Sequence, residues 1–558
     1  MTSYLPVAVL AGGARLHVHG FDDRVAAEFA FDVEKRLLDI RLGRIRALSR
    51  ARRGMGSITT QPAAHTSSTS TSTSTSTTPG STSGSVPQRR KHRSFKDVSV
   101  TTGNLWAQVM LYVLPLMGGS LFQQLYTSID AFILGQYVSS LALGAVDSTF
   151  SVVRLLVNLF MGLSTGATIV VAQLWGAHRD REVGTAVHTA VAFALAAGAL
   201  LTVVGVLVSP ALLRLLDTPP ENWDYAVTFI RIYFCGLVPL LLYNMCAAIL
   251  RAVGDSRRPF FFLVVSVLVN IMLDLLFVPI LGWGVAGTAL ATVLAEVVAA
   301  ILTVATLMRE SHAYRLVLRK IGFHRGMLRR MVLLGLPTGI QSALYPVSNA
   351  VVQWGINGLG AQAVTGWALT GKIDMFLWLV LDAFGIAVTT FVAQNMGAGF
   401  NARARKSIFV CIALGLAMLL PLSALMYFFG GDAARLFTPD VAALTEARTL
   451  LMFLAPFYWT FIMVEVLSGA IRGTGETVKP MIITLVGTCL LRIAWIWFVV
   501  PLDWNIITVA AVYPVSWIAT GLVFIGYFRF GKWRHHIYAP DRAGEGAKAQ
   551  AAVEAQTA

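Results

Sequence analysis

Ser266-Val267-Leu268-Val269-Asn270-Ile271-Met272-Leu273-Asp274 lies inside the apolar run 259–280, which is long enough to cross a bilayer as a helix. Ser266, Asn270 and Asp274 recur every four residues and therefore share one helix face. A carboxylate at the centre of a membrane helix costs about 2.5–3.5 kcal/mol even on a lenient insertion scale. A residue that expensive is aimed at a protein interior, either to hold an ion or proton or to pair with a neighbouring helix. The amide and hydroxyl on the same face favour the first reading.

Composition agrees with a chain that lives in a membrane. Of 558 residues, 56% are hydrophobic and only 13% charged, against about 25% charged in soluble domains. The net charge of +15 is not read as a nucleic-acid signal. The basic residues cluster in the first hundred positions and in short loops on one side, which is the positive-inside pattern. Cys235, Cys246, Cys411 and Cys489 all fall in apolar runs and read as small packing residues rather than a disulfide framework.

Residues 1–98 stand apart from the membrane body. Positions 66–83 are nearly pure Ser and Thr with Gly and Pro, a composition that buries no core and predicts disorder. Residues 5–14 are too short and lack the basic flank of a secretory signal. Met55 is a plausible alternative start, and the basic cluster 89–96 is expected against the cytoplasmic leaflet. Twelve apolar spans follow, at 105–135, 141–173, 183–213, 226–250, 259–280, 284–308, 331–357, 363–393, 407–430, 447–469, 480–501 and 504–528. The loops alternate. Arg179/Arg181, Arg257/Arg258, the 315–330 connection, Arg403/Arg405/Lys406, Lys479 and 529–534 lie on one side; 217–224, 432–446 and Asp503 lie on the other. Both termini are therefore expected in the cytoplasm of a multi-pass plasma (bacterial inner) membrane protein.

An internal repeat organises these spans. VAQLWGA at 171–177 returns as VAQNMGA at 392–398, 221 residues later (171 to 392). AILRAVGDSRRP at 248–259 returns as AIRGTGETVKP at 470–480, Trp283 as Trp504, and Leu114-Pro115 as Leu336-Pro337. Six spans per repeat is an even number, so the halves share one topology and face each other about an axis normal to the membrane. The expected divisions are a disordered extension at 1–98, a first lobe at 99–310 carrying a cation site, a second lobe at 311–530 forming a cavity wall, and a cytoplasmic tail at 531–558.

Polar stripes locate the chemistry. The first span carries Gln123, Tyr126, Thr127 and Asp130, the fifth Ser266, Asn270 and Asp274, and the sixth Thr288, Thr292 and Glu296. Three such stripes converging in one half make a cage of oxygens, which suits a proton or a small hard cation. Proton and sodium would compete for it, and that competition is a basis for coupling. The second half answers with Gln341, Tyr345, Asn349 and Gln353 on the seventh span, a stripe without a carboxylate. Together with Gln123, Tyr126, Asn244 and Glu296 it is the candidate lining of a substrate cavity. Glu296 belongs either to the cage or to that cavity. Asp147 and Arg154 read as structural or interlobe contacts, and Lys372 and Asp374 as partners of neighbouring helices or of substrate. Glu465 and Arg492 are expected to pair with each other across a helix interface.

With these features in place the chain resembles the multidrug and toxic compound extrusion (MATE) family. The resemblance rests on twelve spans in two halves, VAQxxGA after the second and eighth, RxxGD–P after the fourth, and Asn-x3-Asp on the fifth. It covers about 104–528 and is most similar to the prokaryotic DinF-like branch. It implies a V-shaped, all-α fold and an antiporter that exports organic cations and drugs against H+ or Na+. It also implies a cation site, possible Na+ included, at Asp130, Asn270, Asp274 and Thr292. The family's fourth-span tyrosine falls on Phe229 here, which removes a hydroxyl. A flippase of lipid-linked saccharides is the alternative, although such proteins carry extra helices and a cationic cavity. A membrane-embedded enzyme fits poorly, because nine of the ten histidines lie in tails, loops or helix ends. No GxxxxGK loop supports ATP-driven pumping. No cofactor and no nucleic-acid partner is expected, only a small-molecule substrate, the bilayer and a coupling ion, with the monomer as the working unit.

Overall fold

A computed structural model describes residues 100–215, 218–531 and 533, all in one compact unit, His92–Ala558. The 1–98 extension and most of the 531–558 tail lie outside the described residues. Among the described residues the secondary structure is entirely helical. In the first half run α1 (Leu105–Tyr137), α2 (Ser140–Gly176), α3 (Asp180–Leu215), α4 (Trp223–Cys235), α5 (Leu237–Ala252), α6 (Arg257–Leu275) and α7 (Gly284–Arg309). The second half has α8 (Arg325–Asn357), α9 (Ala361–Gly397), α10 (Asn401–Ala434), α11 (Val441–Leu454), α12 (Tyr458–Gly473), α13 (Val478–Thr484), α14 (Leu491–Phe498), α15 (Ile506–Ala510) and α16 (Val512–Phe530).

More helices than spans arise because several spans are broken, and the breaks in the fourth and tenth have a sequence cause. The fourth expected span bends by 47° between α4 and α5. Gly236 stands at the bend, where a Cβ would come within 2.6 Å of Val293 Cγ2, and Pro239 removes a backbone donor just beyond it. Pro456 sits in the turn Ala455–Phe457 between α11 and α12. The eleventh span passes through a π turn, Leu485–Leu490, which widens the helix between α13 and α14.

Ten helical spans among the described residues are long and apolar enough to cross a membrane, or eleven if the bent α4–α5 pair counts as one. The remaining expected span, α8, is a continuous helix of 33 residues. It misses that standard of apolarity because Arg325, Arg329 and Arg330 lie in its first two turns and Gln341, Tyr345, Asn349 and Gln353 run along it. The polar stripe that marked α8 as functional is what makes it look least like a membrane helix.

Glycines bring the two halves together. Gly162 and Gly166 on α2 meet Gly339 and Gly335 on α8, where a Cβ on Gly162 would stand 2.2 Å from Gly339 Cα. Such small-residue seams let helix backbones touch and pack without a hydrophobic driving force. Further along, a Cβ on Gly176 would lie 2.0 Å from the Gln394 carbonyl oxygen, and one on Gly397 2.0 Å from that of Gln173. Within the first half, Gly118 and Gly119 on α1 receive Phe260 and Leu263 of α6. That close approach carries Asp130 on α1 to Asp274 on α6.

Candidate functional site

The face Ser266/Asn270/Asp274 of α6 divides into a strut and a site. Ser266 Oγ donates to the Ala295 carbonyl at 2.8 Å and knits α6 to α7. Asn270 and Asp274 are each 0% exposed, yet neither amide atom of Asn270 nor either oxygen of Asp274 has a hydrogen-bond partner among the described residues. Asp130, 9% exposed, leaves Oδ1 unpartnered, and its carboxyl lies within hydrogen-bonding reach of Asp274. Two ionised carboxylates only accept hydrogen bonds, so they cannot satisfy each other unless a proton or cation lies between them. Buried polar groups are nearly always paired, which makes this concentration of unpaired oxygens a distinctive feature of the first half. Its donor set, two carboxylates and an amide, fits a proton or a small hard cation.

Tyr126 closes the cage on the α7 side. Its hydroxyl donates to Thr292 Oγ1 at 3.2 Å, and Thr292 in turn donates to the Thr288 carbonyl at 3.0 Å. Thr292 is thus held in a chain of hydrogen bonds, whereas the buried hydroxyl of Thr288 has no partner. Glu296, one turn beyond Thr292, keeps a buried, unpartnered Oε2 within electrostatic reach of Tyr126 and Tyr243. Gln123 is exposed, and Asn244 Nδ2 donates to the Leu240 carbonyl of its own helix at 2.9 Å. Phe229 is buried, and Tyr233, one turn further on α4, stacks on it at 5.9 Å and sits within electrostatic reach of Tyr126. The hydroxyl-bearing ring beside Phe229 is thus that of Tyr233. Its signal, an i,i+4 aromatic pair on α4, was present in the sequence.

The second half differs in kind. Glu465 does not pair with Arg492. It faces Arg472 at 3.7 Å on its own helix and packs on the bare backbone of Gly385, where a Cβ would lie 2.6 Å from its Oε1. Arg492 reaches the other way, to Asn349 Oδ1 at 2.8 Å and Ser516 Oγ at 3.2 Å. Asp374 accepts from Tyr458 at 2.6 Å and from the Trp378 indole at 3.3 Å, while Lys372 lies over the Phe437 ring at 5.0 Å. Asp382, which the stripes did not single out, lies near Glu465, so the second half is less free of carboxylates than the α8 stripe alone suggests. Of that stripe, Gln341 turns inward to Thr484 Oγ1 (3.3 Å), Tyr345 keeps a buried, unpartnered hydroxyl, and Gln353 donates to Asn357. The side chains of Asp147 and Arg154 lie outside those described.

The MatE family model matches the chain twice, at residues 115–276 and 337–498. The chain belongs to this family. The two matches have equal length and are offset by 222 residues (115 to 337), so the MATE repeat is the repeat read above. Family membership makes the chain a membrane transporter and not an enzyme. It is 26% identical over 443 residues to the probable multidrug resistance protein YoeA of Bacillus subtilis, covering 76% of this chain and 94% of that one. Its fold is that of a multidrug resistance MATE family transporter solved in an outward-facing conformation. There the TM-score is 0.73 at 21% identity, over 80% of this chain and 98% of that one. A MOP superfamily transporter from Pyrococcus furiosus, described as having a binding pocket of reversed polarity, gives a TM-score of 0.73 at 22% identity, with coverage of 80% and 98%.

Proposed function

We propose that this MATE protein is a secondary antiporter of the DinF-like branch that exports amphipathic, cationic drugs or toxic compounds in exchange for H+ or Na+. The single observation that carries the reading is the buried cluster of Asp130, Asn270 and Asp274, whose polar atoms lack partners between α1 and α6. Burial makes bare charge there expensive, so the cluster favours a bound cation, and its occupancy changes the charge of the first half by a whole unit. Thr292 and Tyr126 position the α7 side, and the α8 face of Tyr345, Asn349 and Gln353 lines the cavity for substrate. The multidrug resistance role of its relatives agrees with this assignment.

The interlobe hydrogen bonds made by Tyr112, Gln173, Gln394 and Arg403 all lie at the end bearing the basic loops. With those loops and both termini in the cytoplasm of the plasma membrane, hydrogen bonds join the lobes on the inner side, which supports an outward-facing reading. Cation uptake from outside neutralises the cage and favours drug release there. Loss of the cation inside restores the charge and favours drug capture. The deciding measurement is uptake of ethidium by liposomes holding the purified protein, with a pH gradient and a sodium gradient imposed separately. One gradient should drive accumulation; if neither does, the antiport reading is wrong.

A further inference from the structure

Arg492 is a buried charge in the second half that the reading above leaves unused. It lies on α14 immediately after the π turn and is only 2% exposed. Its Nε donates to Ser516 Oγ, its Nη1 to Asn349 Oδ1, and the Tyr513 ring lies 4.2 Å from the guanidinium carbon. All three neighbours are neutral. Of the carboxylates in this half, Glu465 is engaged with Arg472 and Asp374 with Tyr458 and Trp378, while Asp382 lies near Glu465. Among the described residues Arg492 forms no ion pair, and its Nη2 forms no hydrogen bond. A guanidinium does not shed its proton in a protein. Its positive charge therefore persists inside a membrane span, where unpaired charges are costly and mark function.

The position of the charge indicates what compensates it. Asn349, which holds Nη1 through Oδ1 and also accepts from the Tyr513 hydroxyl at 3.4 Å, is exposed on the α8 face assigned above to the cavity. Its Nδ2 has no partner among the described residues. The guanidinium thus stands directly behind the cavity wall, with an amide N–H beside it and an aromatic ring against its face. Adjacent N–H donors, one of them charged, suit the two oxygens of a carboxylate or phosphate.

We propose that Arg492, assisted by Asn349, forms an anion subsite that binds the carboxylate or phosphate of the transported molecule. The substrate class is then an amphipathic compound that carries an acid group as well as a cationic one. This inference rests on the assignment of the α8 face to the cavity, and it deepens that assignment. The first half holds the coupling cation, and the second half reads the acid.

The test is equilibrium binding to the purified full-length protein in detergent, with no gradient, using rhodamine 110 and its methyl ester, rhodamine 123. The two dyes differ only in whether the carboxyl is free. Wild type should bind the acid about tenfold more tightly than the ester, as expected for a charge-assisted pair. Arg492→Met should abolish that preference while leaving the ester's affinity unchanged, which reports an intact cavity. Arg492→Lys should keep part of the preference, and Asn349→Ala should weaken the acid by a few-fold more than the ester. Equal binding of both dyes by wild type, or an undiminished preference in Arg492→Met, would overturn the proposal. A parallel titration in phosphatidylcholine nanodiscs with added phosphatidylglycerol separates the sources of the anion. Displacement of rhodamine 110 from wild type but not from Arg492→Lys assigns the subsite to a lipid headgroup, and no displacement assigns it to a solute. Acid preference without gradient-driven uptake would refute only the antiport reading. Driven uptake without acid preference would refute only this inference.

Discussion

Gln173 and Gln394, one from each half, make the same bond in opposite directions. Gln173 Nε2 donates to the Gly473 carbonyl at 3.1 Å, and Gln394 Nε2 donates to the Ala252 carbonyl at 2.5 Å. Donors and acceptors are both 221 positions apart (173 to 394, 252 to 473). The repeated sequence is therefore a repeated joint, and the pseudo-twofold axis passes between the ends of α2 and α9. Gly176 and Gly397 flank the glutamines and allow the backbones to approach.

That joint should be intolerant of any side chain at its glycines. Gly176→Ala and Gly397→Ala each place a methyl about where the opposite carbonyl oxygen lies, 2.0 Å away, and should force the closed end apart. Thr390, 0% exposed and bonded to Tyr112 at 3.1 Å, is a reporter of closure. With the native cysteines replaced, Thr390→Cys should resist a thiol reagent in the otherwise unaltered protein and react at least about tenfold faster beside either alanine, which corresponds to a shift of about 1.4 kcal/mol. Equal reaction rates would show that the joint does not set the closed state.

A second expectation concerns where the chain becomes necessary. Residues 1–98 have the composition of a segment without a core, and their removal should leave transport near wild type. The boundary is sharp, because Arg403 donates to the carbonyls of Val100, Thr102 and Gly103 and to Gln108 Oε1, at 2.8–3.2 Å. Extending the deletion through Asn104 removes most of these acceptors together with the α1 cap. It should lower the unfolding temperature in detergent, which the shorter deletion should not do.

How far the sequence could be read follows from helix periodicity. Asp130, Asn270 and Asp274 sit on unbroken stretches of α1 and α6, so four-residue spacing placed them on the correct faces. Arg492 follows the π turn Leu485–Leu490, which adds about one residue to the local turn and rotates all that follows. Pairing it with Glu465 followed only from the cost of unpaired charge in a membrane; in the fold it meets Asn349 instead. Asp382 went unnoticed for another reason. It has no polar residue four positions away on α9, and its neighbour Glu465 lies on α12. Only packing brings the two together. α8 was legible as a span from the repeat, although its own composition is too polar for one.

Outside the membrane, the turn after the fourth span supports a pH prediction. Arg258 bonds to both Asp255 and Glu310, and Glu310 Oε2 also meets His312 at 3.1 Å. Burial alone would raise the Glu310 carboxyl, but its bonds to Arg258 and His312 outweigh burial and hold it below the usual glutamate range. A lowered carboxylate stabilises the fold above its unfolded pKa, about 4.3, and that contribution is lost as pH falls through the lower folded value. Glu310→Gln should therefore destabilise by about 1–3 kcal/mol at pH 7. The difference from wild type should shrink on acidification below pH about 4, read from thermal unfolding in detergent. A gap that widened with acid would reverse the assignment.

The α8 face supports a prediction about selectivity. Tyr345 keeps a buried hydroxyl without a partner, within electrostatic reach of Glu465 and Arg492 and in the half opposite the cation cluster. Tyr345→Ala should change the relative transport of a panel of dyes by several-fold while leaving cation binding intact. Uniform loss across the panel together with loss of cation binding would end the proposed division between the halves.

The strongest demand falls on Asp274. Its side chain is 0% exposed with both oxygens unpartnered, within reach of Asp130, so its charge is felt at low effective dielectric. Asp274→Asn keeps the shape and removes the titration. A cation shifts the outward–inward balance only by its differential affinity for the two states, about 1.4 kcal/mol for each tenfold ratio. Without a charge to neutralise, that difference vanishes. Gradient-driven export should fall by at least about tenfold, and drug binding at equilibrium should persist, because the α8 face is untouched. Asp130→Asn should behave alike, since the two carboxyls act as one site. Both assays belong on the same preparation, driven uptake in liposomes beside dye binding in detergent. Wild-type export by both variants would move the ion site elsewhere. Glu296 would be the next place to look, because its Oε2 is buried without a partner, whereas Asp374 is held by Tyr458 and Trp378 and Glu465 faces Arg472.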